Sequence, residues 1–407
     1  MNLFQGGIFT KTKYYQPLFF SLVILFSLAA NFAHPVTPTF IVERQLDSSM
    51  FGVALAAMMT ANFLFAPFWG RLCNYIPTRL IVLIGCMGYA VGQIIFVSAY
   101  TEILVILGRM VGGMFAGGVF VALSNYIINT TQDPTRRGEN LITMITLQNV
   151  ASAAGYFVGG MLGVISTETA FIIQILVLIA CALLPLLICQ DDTPYKHKPD
   201  KPLSIQDANP FRAFAAARRF MTPMLALIFA IIALTSIGQN SFDQCFNYYI
   251  KDQFNLSSAY NGIFKAVIAV VTILANSSIC VWLQRKTDTN RSFLPILFCC
   301  SLSLGAILFF DSLIPFVVVD IVFFTFNAMR LPLLQNMCAM RSNSENSNEV
   351  MGFYQAMNSM GGIFGSLFAG LIYDTNPLLP FILAFAAFAV ATLVALLYVR
   401  KYNKTKA

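Results

Sequence analysis

Apolar stretches of about 20 residues recur along this chain, and brief polar segments separate them. A helix needs about 20 mostly apolar residues to cross roughly 30 Å of hydrocarbon, so each stretch predicts a transmembrane helix. Twelve such spans are predicted, at 17–36, 51–69, 80–98, 103–126, 141–164, 170–189, 221–245, 262–283, 292–311, 314–336, 351–373 and 378–398. The pattern therefore predicts an all-α integral membrane protein.

One polar run, residues 190–219, interrupts this pattern and has six predicted spans on either side. It divides the chain into an N-terminal six-helix bundle (1–189), a cytoplasmic linker (190–219) and a C-terminal six-helix bundle with a short basic cytoplasmic tail (220–407). A shift of 210 residues aligns Glu139 with Glu349, Gly155 with Gly365, and Gly160 with Gly370. We interpret these matches as a duplication that gives two pseudo-symmetric bundles.

Composition and charge agree with a membrane location. The chain is 57% hydrophobic and 11% charged, and its mean hydropathy of +0.72 lies outside the range of soluble domains. Of the 25 Lys and Arg residues, Arg44 and Lys251 alone fall in predicted outer loops, and Arg109, Lys265 and Arg330 fall within spans. Basic residues are retained on the cytoplasmic side, so a multi-pass protein of the cytoplasmic membrane with both termini inside is predicted. The formal charge of +7 then reports topology and predicts no nucleic-acid partner.

Cysteine and histidine usage points away from cofactor chemistry. The nine Cys lie mainly in apolar spans without ligand-like spacing, and His34 and His197 are the two histidines. We therefore predict no disulfide, no metal, no cofactor, no catalytic residue and no enzyme activity. The sequence also lacks a phosphate-cradling Gly-x-x-x-x-Gly-Lys motif.

The loop after the second span reads PFWGRLCNYIPTR. It resembles the signature loop between helices 2 and 3 of the major facilitator superfamily, with Gly70, Leu72, Cys73 and Arg79 matching and Asn74 in place of an acid. The resemblance implies that the loop braces the cytoplasmic side against a helix N-terminus of the opposite half. Asn74 supplies no charge to a helix dipole, so a weaker or differently built brace is expected. A simple tight turn is the alternative.

Two further motifs continue the resemblance. Arg109, followed by a glycine-rich face in the fourth span, is similar to the second motif of the superfamily, which implies a role in proton coupling. An arginine that extends to the outer interface is the alternative. Gly155-Tyr156-Phe157-Val158-Gly159-Gly160 resembles the antiporter motif Gly-Pro-x-x-Gly-Gly, with Tyr156 replacing the proline. Glycines at this spacing favour close helix packing.

The C-terminal half carries Asp243, Lys265, Asp320 and Arg330 within its spans. Asp243 and Lys265 can meet near the outer side of the membrane, as a structural ion pair or as a functional one. Asp320 aligns within one residue of Arg109 under the repeat. It is the preferred candidate for a carboxyl that binds and releases a proton, and Asp243 is the second.

His34 and Asn31, at the outer end of the first helix, complete the candidate cavity residues, although an interfacial histidine is the simpler interpretation of His34. In the resembled family, cavity-lining helices carry polar groups, and the corresponding spans here carry Asn62, Asn125, Gln148, Asn149, Gln239, Asn240, Asn276, Asn327 and Asn358.

The resemblance covers essentially the whole chain and implies an alternating-access secondary transporter, similar to bacterial drug:proton antiporters. We expect a monomer that exports small amphipathic compounds, with the proton as the coupling ion and the lipid bilayer as its surroundings. An uptake symporter or facilitator for a polar or anionic nutrient is one alternative. A membrane sensor or enzyme without transport is another, from a different class.

Overall fold

The computed structural model describes residues 15–47, 50–196, 209–254, 258–310, 312–343, 345–373 and 375–406, and these residues form helices and connecting turns. The helices are α1 Tyr15–Ala30, α2 Thr37–Glu43, α3 Met50–Leu72, α4 Thr78–Val97, α5 Glu102–Thr130, α6 Pro134–Ile165, α7 Thr167–Ile188, α8 Pro210–Ala216, α9 Pro223–Phe254, α10 Ser258–Leu274, α11 Val281–Lys286, α12 Thr289–Ile307, α13 Leu313–Arg341, α14 Ser347–Tyr373 and α15 Leu379–Lys406. Residues Ala275–Cys280 form a π-helical turn that joins α10 to α11.

Eleven helical segments of the described chain are long and apolar enough to cross a membrane, and α10 and α11 together supply one of them. The apolar helix α1, of 16 residues, is shorter than these. The eleven segments and α1 correspond in order to the twelve predicted spans. The predicted all-α membrane fold is confirmed.

The first predicted span, 17–36, is longer than the helix that forms. Helix α1 ends at Ala30, and the chain turns through residues 31–36 before α2 begins. Pro35 has no backbone N–H to continue the helix, and α2 carries a proline in its first turn, where that loss is tolerated. These prolines therefore mark a break that average apolarity conceals.

The chain divides into two compact units, which are described separately. Unit 1 comprises Met1–Asp133, Leu147–Phe220 and Ser342–Ala356, and unit 2 comprises Pro134–Thr146, Met221–Arg341 and Met357–Ala407. Helices α6 and α14 are therefore each divided between the two units. The domain boundaries that the sequence predicts, at 189 and 220, remain a prediction.

Each of the two units contains the same kind of close glycine contact. In unit 1, a methyl group placed on Gly155 would lie 2.3 Å from the backbone oxygen of Leu28 and 3.0 Å from the Cβ of Asn31. In unit 2, a methyl group on Gly365 would lie 2.4 Å from the backbone oxygen of Ile237 and 3.0 Å from the Cβ of Asn240. Both glycines let neighbouring helix backbones approach closely. Equivalent surroundings at positions 210 residues apart support the duplication.

Candidate functional site

Arg109 lies on α5 in unit 1 and is 4% exposed. Its Nη2 donates a hydrogen bond of 2.6 Å to the Oγ1 of Thr37, on α2. Its guanidinium carbon lies 4.0 Å from the centroid of the Phe96 ring, on α4. A buried cation needs such a polar partner and an aromatic face. The side chain therefore turns into unit 1, whereas the alternative interpretation has it extend outward.

The structure brings His34 and Tyr156 close to Arg109. The imidazole of His34 stacks on the phenol ring of Tyr156, with centroids 5.5 Å apart. Both groups are near enough to the guanidinium for electrostatic interaction. Asn31 donates to the backbone oxygen of Ser27 at 2.7 Å, within its own helix. Tyr156 therefore contributes a polar ring that stacks on His34 where the resembled motif has a proline.

A buried network around Tyr89 in unit 1 is a feature that the sequence did not predict. The Tyr89 hydroxyl donates to the Ala30 carbonyl at 3.2 Å, and Gln174 donates to the Ala29 carbonyl at 2.9 Å. Gln93 in turn donates to Gln174 at 2.9 Å. These bonds go to carbonyls in the last turn of α1, of which that of Ala29 also accepts from the Phe32 backbone N–H at 3.1 Å. Tyr89 and Gln93 are four residues apart on α4, and that spacing was the available signal.

A chain of hydrogen bonds in unit 2 joins two of the predicted charged residues. Gln239 donates to the Oδ2 of Asp243 at 2.6 Å, and Asn327 donates to the Oε1 of Gln239. Arg330 donates through Nε to the Oδ1 of Asn327 at 2.9 Å, and through Nη1 to the Oγ1 of Thr235 at 2.7 Å. Arg330 is 1% exposed, whereas Asp243 is half-buried. This series of hydrogen bonds connects a fully buried charge with a half-buried one.

The other charged candidates of the C-terminal half lie on α10 and α13. Asp320 precedes Arg330 by ten residues on α13 and is 1% exposed. The side chain of Lys265 lies outside the described part of α10, so its predicted meeting with Asp243 remains a prediction. The structure therefore places Asp320 in the interior of unit 2, and its role in proton coupling is still a prediction.

The end of α3 and the loop after it pack against the start of α14, within unit 1. The Nδ2 of Asn348 donates to the Oδ1 of Asn74 at 2.7 Å. A methyl group on Gly70 would lie 2.5 Å from the backbone oxygen of Asn348 and 2.8 Å from the Cα of Gly352. Leu72 is buried in the last turn of α3. Asn74, which stands where the resembled family has an acid, therefore contacts the start of α14 through a neutral amide pair, and the Gly70 contact lies beside it.

Arg79, the last residue of that motif, contacts the beginning of the linker. Its Nη2 lies 3.1 Å from the Oδ2 of Asp191. The neighbouring Asp192 is fully buried and accepts from the backbone N of Thr78 at 2.9 Å and from Lys196 at 3.0 Å. Partial burial acts to raise the pKa of Asp191, but hydrogen bonds from Thr193 and the charge of Arg79 hold that pKa below its usual value. The start of the linker is thus fixed to the start of α4.

The three glycines of the antiporter-like motif differ in their surroundings. Gly155 and Gly159 face the end of α1 and the turn after it, and a methyl group on Gly159 would lie 2.2 Å from the backbone oxygen of Phe32. A methyl group on Gly160 would meet nothing within 4 Å. Close packing therefore uses the first two glycines of the motif and not the third.

Comparison with known proteins agrees with this architecture. The Major Facilitator Superfamily profile matches residues 19–331. Multidrug resistance protein 1 of Bacillus subtilis (strain 168) is 23% identical over 88% of this chain and 89% of its own length. Quinolone resistance protein NorA of Staphylococcus aureus (strain MSSA476) is 23% identical over 96% of this chain and 97% of its own length.

Two solved structures share the fold. The human organic anion transporter MFSD10 (TETRAN) has a TM-score of 0.72 at 17% identity, and covers 94% of this chain and 98% of its own. The transporter FucP, in its outward conformation, has a TM-score of 0.72 at 14% identity with the same coverage. These likenesses support the predicted fold. Because the superfamily profile spans most of the sequence, the chain belongs to the Major Facilitator Superfamily of membrane transporters.

Proposed function

We propose that this transporter exports small amphipathic compounds in exchange for protons. The observation that carries the proposal is the charged interior of unit 2, where Asp320 and Arg330 are each 1% exposed on helix α13. Ionisable groups inside a membrane protein are costly and mark ion or substrate pathways. Two relatives that bear the names of multidrug and quinolone resistance proteins support export of such compounds.

Asp320 is the proposed proton carrier. Its burial on α13 makes the carboxylate costly unless a proton or a cation neutralises it. A carrier of this kind binds a proton in one state of the transporter and releases it in the other, so that each cycle moves a proton against the exported compound. Asp243, which is half-buried, is the second candidate.

The proposed arrangement in the membrane follows from charge. Of the 25 basic residues, 20 lie in the segments assigned to the cytoplasmic side, including both tails. We therefore place both termini in the cytoplasm. We also propose that a single chain is the working transporter.

The test is gradient-driven flux of a fluorescent amphipathic cation in proteoliposomes, with pH gradients of both signs. We expect wild-type protein to accumulate the cation under one sign alone, and Asp320→Asn to retain downhill exchange while losing gradient-driven accumulation. Glu102→Gln, an exposed acid at the start of α5, is the control and is expected to behave as wild type. Unchanged accumulation by Asp320→Asn would remove Asp320 from the proton pathway.

Uptake of a polar anionic nutrient is the second candidate function. Two buried arginines, Arg109 at 4% and Arg330 at 1% exposure, favour it because a cationic interior suits an anionic substrate. The same vesicles distinguish the two. Uptake coupled to protons requires an inward proton gradient to drive an anionic probe in the same direction, and export requires the opposite coupling with the cationic probe.

A further inference from the structure

We propose that Gln239 and Asn327 are positioning residues that make Asp243 and Arg330 respond to substrate as one unit. The inference rests on the proposed function, because it concerns how a cationic group or a proton is sensed. The two amides are uncharged and belong to no motif, and they connect α9 with α13.

The two amides have one consistent orientation. Each donates from its nitrogen on the side of Asp243 and accepts at its oxygen on the side of Arg330. If Gln239 turned over, its oxygen would face the Asp243 carboxylate and its nitrogen would face the Asn327 nitrogen, so both bonds would be lost. The charges at the two ends therefore determine the orientation of both amides. Hydrogen bonds that run in one direction strengthen each other in a medium of low dielectric constant.

The two ends of the chain differ in access. Arg330 is buried and also donates to Thr235, whose hydroxyl in turn donates to the Ile231 carbonyl at 2.7 Å. That end is closed to solvent, because Arg330 is buried and is held by its bonds to Asn327 and Thr235. Asp243 is half-buried, so it is the end at which a ligand can act.

Two bonds of this chain join α9 to α13. Gln239 and Thr235 lie on α9, and they bind Asn327 and Arg330 on α13. The other charged group of α13 within the membrane part is Asp320, and α10 brings Lys265, whose side chain lies outside the described residues. A change in these hydrogen bonds is thus a change in the contact between α9 and α13.

Neutralisation of Asp243 is the expected signal. A cationic group of the substrate, or a proton, would occupy the carboxylate oxygen that now accepts from Gln239. Gln239 would then lose its charged acceptor and could turn away from Asn327, which would leave Asn327 oriented by Arg330 alone and weaken the contact between α9 and α13. Binding at the half-buried end is therefore transmitted to a buried cation on another helix.

The test exchanges the acid and the amide. Gln239→Glu alone places two carboxylates together, and Asp243→Asn alone removes the charged acceptor. In the double variant, the acid at position 239 accepts from Asn327 and from the new amide at position 243, so the chain is complete again. Residues in one hydrogen-bond network couple by about 0.5–3 kcal/mol, equivalent to roughly 2- to 150-fold in affinity.

Two readouts on purified protein in detergent are compared. These are the Kd of a fluorescent amphipathic cation and the Tm. We expect each single variant to weaken binding by about tenfold and the double variant to recover to within about threefold of wild type, with Tm following the same order. Ser241→Ala, which removes a buried bond of 2.9 Å to the Pro380 carbonyl two residues along α9, is the control. It is expected to lower Tm and leave Kd unchanged.

Each outcome decides the inference. Additive losses in the double variant overturn it, and so does recovery of Tm without recovery of binding, because the amides would then serve the fold alone. If wild-type protein does not bind the cation, the substrate class of the proposed function fails. The Tm then decides whether Asp243 and Arg330 are linked through the two amides. Recovery of the Tm in the double variant supports this link, and additive losses of Tm overturn it.

Discussion

The start of α14 in unit 1 and the start of α6 in unit 2 occupy equivalent places in the repeat, and different chemistry holds each. In unit 1, Asn348 donates to Asn74 at 2.7 Å, and Asn348 is 2% exposed. In unit 2, the Nε of Arg285, at the end of α11, lies 2.5 Å from the Oε1 of Glu139, and the Arg285 side chain is 58% exposed. The duplicated helix start is thus held by a partly buried amide pair in one unit and by an ion pair with a mostly exposed arginine in the other.

This difference determines what each contact depends on. We name the contact of Gly70, Asn74, Asn348 and Gly352 the unit 1 joint, and the pair of Arg285 and Glu139 the unit 2 joint. Exposed ion pairs contribute about 0–1 kcal/mol and are screened by salt. A neutral hydrogen bond contributes about 0.5–1.5 kcal/mol with little dependence on salt. The unit 1 joint therefore depends on close packing, and the unit 2 joint depends on ionic strength.

The largest effect is expected from Gly70→Ala. The added methyl group would lie 2.5 Å from the Asn348 backbone oxygen and 2.8 Å from the Gly352 Cα, and neither backbone atom can rotate away. Overpacking of this kind costs about 1–3 kcal/mol. We expect a lower Tm and slower transport of the cationic probe. Gly160→Ala is the matched control, since its methyl group would meet nothing within 4 Å. Wild-type Tm and flux in Gly70→Ala would show that the joint does not require close packing.

A smaller loss is expected from Asn348→Ala. The substitution removes the bond to Asn74, which costs about 0.5–1.5 kcal/mol of unfolding free energy. It leaves the backbone oxygen of Asn348 to accept from Asn125, at 3.3 Å. The Tm should fall by the same amount at low and at high salt. A loss that disappears at high salt would contradict the neutral character of the unit 1 joint.

Arg285→Ala is the corresponding test of the unit 2 joint, with an expected loss of about 0–1 kcal/mol. Because the side chain is mostly exposed, the loss should be seen at low ionic strength and should approach zero near 1 M salt, where the Debye length is about 3 Å. Comparison of Tm for Arg285→Ala and Asn348→Ala across a salt series gives the result. Parallel curves for the two variants would remove the distinction between the joints.

Much of the fold could be predicted, because twenty-residue apolar segments have few alternatives in a membrane. The break after Ala30 was missed because Pro35 was counted with an apolar span although it ends the helix. The division of α6 and α14 between the units could not be read either, because it depends on packing between residues distant in the sequence. Asn348 adjoins Glu349, a residue recognised as a mark of the repeat, but no local pattern connects it to Asn74.

The candidate site was predictable in its charges and less so in their partners. Arg109 and Arg330 stand out because charge is rare within apolar spans. Thr37 and Thr235, which accept hydrogen bonds from them, do not stand out, because threonine is common in such helices and often bonds to its own backbone. The linker was interpreted mainly through its basic residues, and the structure shows that the acids at its start hold it to α4.

The smallest effect is expected at the linker, where unit 1 has the charged pair of Arg79 and Asp191 that its joint lacks. Arg79 and Thr193 hold the pKa of Asp191 below its usual value, so the folded protein binds fewer protons at this carboxyl than the unfolded chain does. This stabilisation is present above a pH of about 4, the usual pKa of Asp, and is lost as the pH falls through the folded value. Asp191→Asn removes it at all pH values. The Tm difference between wild type and Asp191→Asn should therefore narrow as the pH is lowered from 7 toward 3. A difference that stays constant over that range would show that the charge of Asp191 adds nothing to the stability of unit 1.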